Sequence, residues 1–569
     1  MHELVIRGGT IVDGTGAPRR PADLAVDDGR VVAVGHDVGT GRRTIQADGR
    51  IVAPGFVDVH THLDVQGFWD PTLSPSPLHG VTTVLGGNCG FTVAPLAGDA
   101  GDYLMRMLAR VEGMPLESLE RGVPWDWTST ADYLDRLDGT LALNAGFLVG
   151  HSALRRVAMG RAATERAASP EELATMVELL RAGLAAGGIG FSSTWSTTHN
   201  DAEGDPVPSR FATADELIAL AAVCGAFEGT SLEFLPGVGT WDRSTRQVML
   251  DMTVAARRPL NWNIITASAR SSAHWQEKLE LSDEARELGG KIVGLVIPRI
   301  FGARFCFRSG FVLDAIEGWR KPMSLPPAEK LAFLSDPSAR AHLLELAEKS
   351  RGMGALTDWS AKIIVETFTD ATKRYEGRVV GDIAAEEGKQ PFDALLDIVV
   401  ADDLRTSFRN ATDDDTDADW AARAEIWRDP RAVVGASDAG AHLDMLATFS
   451  FSTDLLAFGV RERGLLTTEE AVRLLTAVPA DLYGLRDRGR LVEGAHADVV
   501  VFDEDTVGPD EVSTRFDLPG GAGRLYAGSR GVDHVLVNGA SIVAGGAING
   551  ATPGTLLRSG RDTATPSMA

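Results

Sequence analysis

The stretch 54–64, PGFVDVHTHLD, decides the fold. Phe56 to Val59 is a short, largely apolar run of the kind that forms a buried strand, and it closes on His60, Thr61 and His62. Residues i and i+2 of a strand point to one face and lie about 7 Å apart along it, so the two imidazoles can converge on one cation. Imidazole nitrogen suits zinc.

Working outward, seven more runs of the same texture follow: VTTVLGGNCG (81–90), ALNAGFLVGHS (142–152), GIGFSSTWS (188–196), SLEFLPG (231–237), LNWNIIT (260–266), KIVGLVIPR (291–299) and AVVGASDAG (432–440). Helical patterns such as PEELATMVELLRAGLAAG (170–187) and TADELIALAAVCGAF (213–227) separate several of them, and that alternation specifies parallel strands. Eight units predict an α/β fold, a TIM-type (β/α)8 barrel over 57–483, whose chemistry gathers at the C-terminal strand ends. The long gap at about 299–431 contains DPSARAHLLELAEKS (336–350) and reads as a lid. Before and after the barrel the rhythm changes to short β-branched runs with Gly-Gly and Asp-Gly turns, in ELVIRGGTIVDGTG (3–16) and again in VDHVLVNGASIVAGG (532–546). A small β-sandwich built from residues 1–56 and 484–555 is expected, with 556–569 as a flexible tail.

The chain has 569 residues, 44% of them hydrophobic, enough for more than one compact core. A formal charge of -24 repels phosphate backbones and anionic lipid, so neither nucleic acid nor a membrane surface is an expected partner. No run reaches the roughly 18 apolar residues of a bilayer span, and Cys89, Cys224 and Cys306 are too few and too scattered for a disulfide framework. A cytoplasmic protein acting on a small-molecule amide is the expectation, with a homo-oligomer left open.

Beyond the histidine pair, Cys89 closes the second strand among glycines and so faces the same mouth as His60 and His62. Asp438 ends the last strand; alone it reads equally as a helix N-cap, but beside two histidines it is a natural proton carrier and a further metal contact. His151, followed by Ser152 and Arg155, either polarises a substrate carbonyl or is satisfied internally. Ser193 and Arg155 are candidate substrate contacts at the ends of strands four and three. His199 reads as a solvated loop residue, and His442 lies just past Asp438 without a spacing argument.

The segments PGFVDVHTHLD, GVTTVLGGNCGFTVAP (80–95), LVGHSALRRVAMG (148–160), GIGFSS (188–193), VVGASDAGAH (433–442) and LVEGAHADVVVFD (491–503) resemble, in order, the signatures of the D-aminoacylase branch of the amidohydrolase superfamily. The resemblance implies a zinc enzyme that hydrolyses the amide of an N-acyl-D-amino acid, with His60, His62 and Cys89 as ligands, Asp438 as acid and base, and an insertion that closes over substrate. Binuclear relatives bridge their metals with a carboxylated lysine; here the first lysine is Lys278, which leaves Cys89 as the soft anion. The family also places histidine ligands at the ends of strands five and six. This chain has Glu233 and Asn263 nearest to those places, Glu233 as a replacement ligand and Asn263 as a hydrogen-bonding group. The family's basic residue past strand six is absent, and its tyrosine after strand seven gives way to Pro298-Arg299. Arg299 is either a new carboxylate anchor or a surface residue at the root of the lid. One firmly bound zinc is expected, with a second weak or absent. Two other readings stand beside this one: a hydrolase of hydantoin-like cyclic amides, and a barrel that binds a ligand without turning it over.

Overall fold

A computed structural model describes residues 1–237, 239–299, 302–350, 354–411 and 415–568. The eight expected runs all form strands: β1 (Phe56–Asp58), β2 (Val81–Gly86), β3 in two pieces (Asn144–Phe147 and Val149–Gly150), β4 (Gly190–Thr194), β5 (Ser231–Leu235), β6 (Leu260–Ile265), β7 (Ile292–Val296) and β8 (Ala432–Val434). They pair in chain order and in parallel, as strands joined by helical crossovers must. Hydrogen bonding divides them into two sheets instead of one unbroken ring. The break falls at Leu148, where β3 passes from its partner β2 to its partner β4. Across the other seam β8 meets the segment after β1 through a parallel bridge, Thr61 to Ala439.

The crossover helices start where the sequence signals them. Ser169 and Glu172 form a reciprocal capping box at the head of Pro170–Ala185, with proline at the first helical turn, where its missing N–H costs nothing. Thr213 caps Ala214–Cys224 by accepting from the amide of Glu216. Every residue of β2, β4, β5 and of both pieces of β3 is buried, as expected of parallel strands covered on both faces.

The two chain ends meet in one seven-stranded sheet, where Val499–Phe502 pairs antiparallel with Ile51–Pro54. A four-stranded sheet from residues 2–46 packs on it, and Leu4, Ile6 and Leu24 of one layer share a core with Val52, Val499 and Leu536 of the other. The insertion is richer than a helical lid. It carries a three-stranded antiparallel sheet (Phe305–Cys306, Lys362–Glu366, Ser407–Asn410) and a core of its own around Phe307, Trp319, Leu343 and Phe392.

The expectation of a flexible tail is corrected. Leu556 and Leu557 are buried, and the amide of Leu557 donates to Ala145 at 2.7 Å. Farther on, Thr563 Oγ1 donates to Gly229 at 2.6 Å and the amide of Ala564 to Gly484 at 2.7 Å. Polar composition hid a segment whose hydrogen bonds are made to Ala145, Gly229 and Gly484. Among the described residues, no helix is long and apolar enough to cross a membrane.

Candidate active site

His60 and His62 flank Thr61, whose amide and hydroxyl both donate to Leu85 at the end of β2 (3.0 and 2.9 Å). From the other side, the amide of Asp438 donates to His60 at 3.1 Å and that of His62 to Ala439 at 2.7 Å. The segment is thus clamped between the ends of β2 and β8, and the two imidazole rings lie 5.3 Å apart. Asp438 is itself held through its neighbour: Ser437 hydrogen-bonds buried Asp58.

Cys89 stands in a tight turn with φ +56°, between Gly87 and Gly90, both also left-handed. A Cβ on Gly87 would fall 2.5 Å from the Leu148 carbonyl oxygen, so the close approach of this turn to β3 requires glycine. Asn88 braces it by donating to the carbonyls of Thr61 and Leu85. The result brings His60, His62 and Cys89, all buried, together with candidate ligand atoms within 4.8 Å of one another. Cys89 Sγ is 3.7 Å from His60 Nε2. Asn263 Nδ2 stands 3.5 Å from each of those two atoms. Glu233 Oε2 accepts the amide of Cys89 at 2.8 Å. Asp438 Oδ1 lies 3.1 Å from His62 Nε2 and 3.7 Å from His60 Nε2.

This donor set fits a divalent cation. Burial pushes the Glu233 carboxyl up to about 8 and the Cys89 thiol well above its usual range. Burial drives His60 down to about 3, with the neighbouring His62 adding to the effect. Burial alone would also lower His62, but Glu112 and Asp438 override it and raise it to about 10. Buried acids crowded around the neutral imidazole of His60 are an environment that a cation relieves. Glu233 Oε1 and His60 Nδ1 are moreover buried without a hydrogen-bond partner among the described residues.

Several expected contributors lie elsewhere. Both nitrogens of His151 are taken, Nδ1 by Ser193 and Nε2 by Glu216, each at 2.8 Å, which leaves none for a substrate carbonyl. Arg155 is fully buried and its guanidinium is bound to the same Glu216, while Ser193 Oγ is engaged by His151. Arg299 contacts Asp454 at 3.4 Å and stacks over Phe458, neither of them a member of the cluster. His199 is not a solvated loop residue: it is partly buried against Phe91, and burial, with His442 and His62 nearby, lowers it to about 3. His442 Nε2 stands 3.8 Å from Asp438 Oδ2. Glu112 escaped the sequence reading altogether. It follows helix α1 (Ala100–Val111) with no motif around it, yet its Oε1 lies 3.4 Å from His62 Nδ1.

Parallel strands in chain order carry a histidine–histidine–cysteine cluster at their C-terminal ends, a metal-competent mouth. Residues 43–543 match the model of the amidohydrolase family, and the chain belongs to that family. A D-aminoacylase of Alcaligenes xylosoxydans xylosoxydans is 28% identical over 98% of this chain and 97% of its own. The crystal structure of an N-acyl-D-glutamate deacylase from Bordetella bronchiseptica, complexed with zinc and a phosphonate inhibitor, is 28% identical, covers 98% of this chain and all of its own, and superposes with a TM-score of 0.65. That of a D-aminoacylase, 24% identical over 98% of this chain and all of its own, gives a TM-score of 0.67. These likenesses imply a TIM barrel with a second domain.

Proposed function

We propose that this protein hydrolyses the amide bond of N-acyl-D-amino acids with a zinc-dependent centre. His60, His62 and Cys89 hold one firmly bound zinc, Glu233 completes the set, and a second metal is weak or absent. The observation that carries the reading is the approach of the His60, His62 and Cys89 side chains, with Asp438 Oδ1 against both imidazoles. The substrate class is supported by the two deacylases named above, which match the chain over nearly its whole length.

When bound, zinc supplies Lewis acidity at the carbonyl and makes water more acidic. The chain's own residues do the rest. Asp438 keeps its carboxyl far below the usual carboxylate range: burial raises it, but the hydrogen bond and charge of His62 outweigh that. It therefore waits as a base, takes a proton from the attacking water and returns it to the departing nitrogen. Asp58, through Ser437, fixes where that carboxylate stands. Asn263, beside His60 and Cys89, offers an amide to substrate. The reading places the enzyme in the cytoplasm, in keeping with three free cysteines and an acidic surface.

Elemental analysis of the purified protein, followed by hydrolysis of a panel of N-acyl-D- and N-acyl-L-amino acids with hydantoins as the contrast, tests this directly. One zinc per chain and turnover of the D-series is the expected result. Two equivalents that survive prolonged chelation would overturn the metal count, and turnover confined to hydantoins would overturn the substrate class.

A further inference from the structure

Beside the metal-competent cluster lies a cavity of about 510 Å³, within the size range of small-molecule sites. Its walls come from α1 and the turn after it, from the insertion, and from the 516–523 loop of the C-terminal part. Among the described residues that line it, none is His60, His62, Cys89 or Asp438. The partition is a stacked pair: the Phe311 ring lies 4.8 Å from that of His442, at 29°. Phe311 faces the cavity, while His442 stands by Asp438. Gly113, with φ +58°, sits under this pair, where a Cβ would fall 3.3 Å from His442 Cα.

The charge of the lining runs against that of the chain. Five basic side chains face three acidic ones in a protein of net charge -24. Asp314 is paired with Arg110 at 2.8 Å and Glu117 with Arg121 at 2.9 Å, while Asp444 is held by Ser309 and faces the charge of Lys330; Asp314 and Asp444 each keep one oxygen without a hydrogen-bond partner among the described residues. Of the cations, Arg106 is held by Asp102, and Lys330 donates to two backbone carbonyls. Arg308 and Arg405 remain. Arg308 is exposed, and its side chain has a 3.5 Å contact to Asp403 as its one ion pair among the described residues. Arg405 stacks on Phe368 at 5.3 Å, and its two Nη atoms have no hydrogen-bond partner among the described residues. Apolar side chains of Met114, Phe311, Met323 and Phe516 also line the cavity.

We propose that this cavity is a second ligand site, one that binds a small organic acid with its apolar body on Met114, Phe311, Met323 and Phe516 and its carboxylate on Arg308 and Arg405. A guanidinium pair matches a carboxylate with parallel N–H···O bonds, which an ammonium or neutral ligand cannot reproduce. The occupant rests on Phe311, so the ring that backs His442 becomes part of its binding surface.

Isothermal titration of the full-length protein with octanoate, and with octylamine as the cationic match, reads the site. Octanoate should bind and octylamine should not. Arg308→Ala and Arg405→Ala should each weaken octanoate by at least about tenfold with unchanged melting temperature. His60→Ala, which strips the proposed metal set, should leave the affinity as it was. Arg308→Gln and Arg405→Gln serve in place of any alanine variant that melts early. Equal affinity in the arginine variants, equal binding of octylamine, or no heat from octanoate would each overturn the proposal. Loss of octanoate in His60→Ala, with the fold intact, would place the acid at the reaction centre instead.

Discussion

The backbone amide of Cys89 donates to Glu233 Oε2 at 2.8 Å, which ties the turn that presents the thiol to the strand that carries the carboxylate. One oxygen of Glu233 is thereby occupied by structure and the other, Oε1, is buried with no partner among the described residues. Glu233 thus has one free donor atom and a fixed orientation.

Glu233→Gln keeps an acceptor for the Cys89 amide and removes the charge. Zinc affinity should fall by at least the roughly 10–100-fold seen when groups that only support ligands are lost. Glu233→Ala should in addition strand a buried amide, at a cost of about 1–3 kcal/mol. Competition with a zinc chelator and thermal melting separate the two effects; identical melting of the Gln and Ala variants would mean that the amide bond does not hold the turn.

Asp438→Asn should keep its zinc and its fold and lose about 10²–10⁴-fold in kcat, the usual weight of a general acid–base group. The measurement is steady-state turnover alongside metal content. Undiminished turnover removes Asp438 from the proton transfers.

Gly87→Ala forces a side chain into a left-handed backbone and toward the Leu148 carbonyl. A loss of about 1–3 kcal/mol from backbone strain is expected, before any cost of the clash. Denaturant unfolding checks it, and zinc affinity should drop in parallel because the same turn carries Cys89.

Stability of the metal-free protein should fall as pH rises. Burial lifts Glu233 from its ordinary value of 4.5 to about 8, so between those limits the folded state holds a proton that the unfolded state has released. The folded state is favoured by this group below the window and penalised above it. Melting of chelator-treated protein from pH 5 to about 8 should show the decline, and Glu233→Gln should flatten it. A melting temperature that climbs across that range in wild type, or a slope unaltered in the Gln variant, would count against this origin.

Arg155→Met tests whether this guanidinium serves the fold or the substrate. Removing the guanidinium leaves Glu216 buried with only His151, and breaking a buried pair costs about 3–5 kcal/mol. The loss should appear in unfolding, while KM of the protein that remains folded stays near wild type. A large rise in KM with little destabilisation would restore Arg155 to the substrate.

The parts of this protein legible in its sequence are those that depend on local periodicity. A period of two places His60 and His62 on one side of a chain segment, a glycine-flanked cysteine announces a tight turn, and alternation of strand with helix requires parallel pairing. Eight strands and the joining of the two chain ends followed from that pattern alone. Which groups then face one another is a matter of long-range packing, and there the pattern is silent. Arg155 and Glu216, 61 residues apart, look equally available on paper and consume each other once folded. Glu112 ends a helix with no motif, and only the docking of α1 on the mouth brings its carboxylate to His62. The polar tail finds its partners at Gly229 and Gly484, in segments far from it along the chain. Local chemistry determined which residues could act together; the long-range packing of the strands and helices decided which of them do, because a buried charge or amide takes the partner that the packing brings within reach.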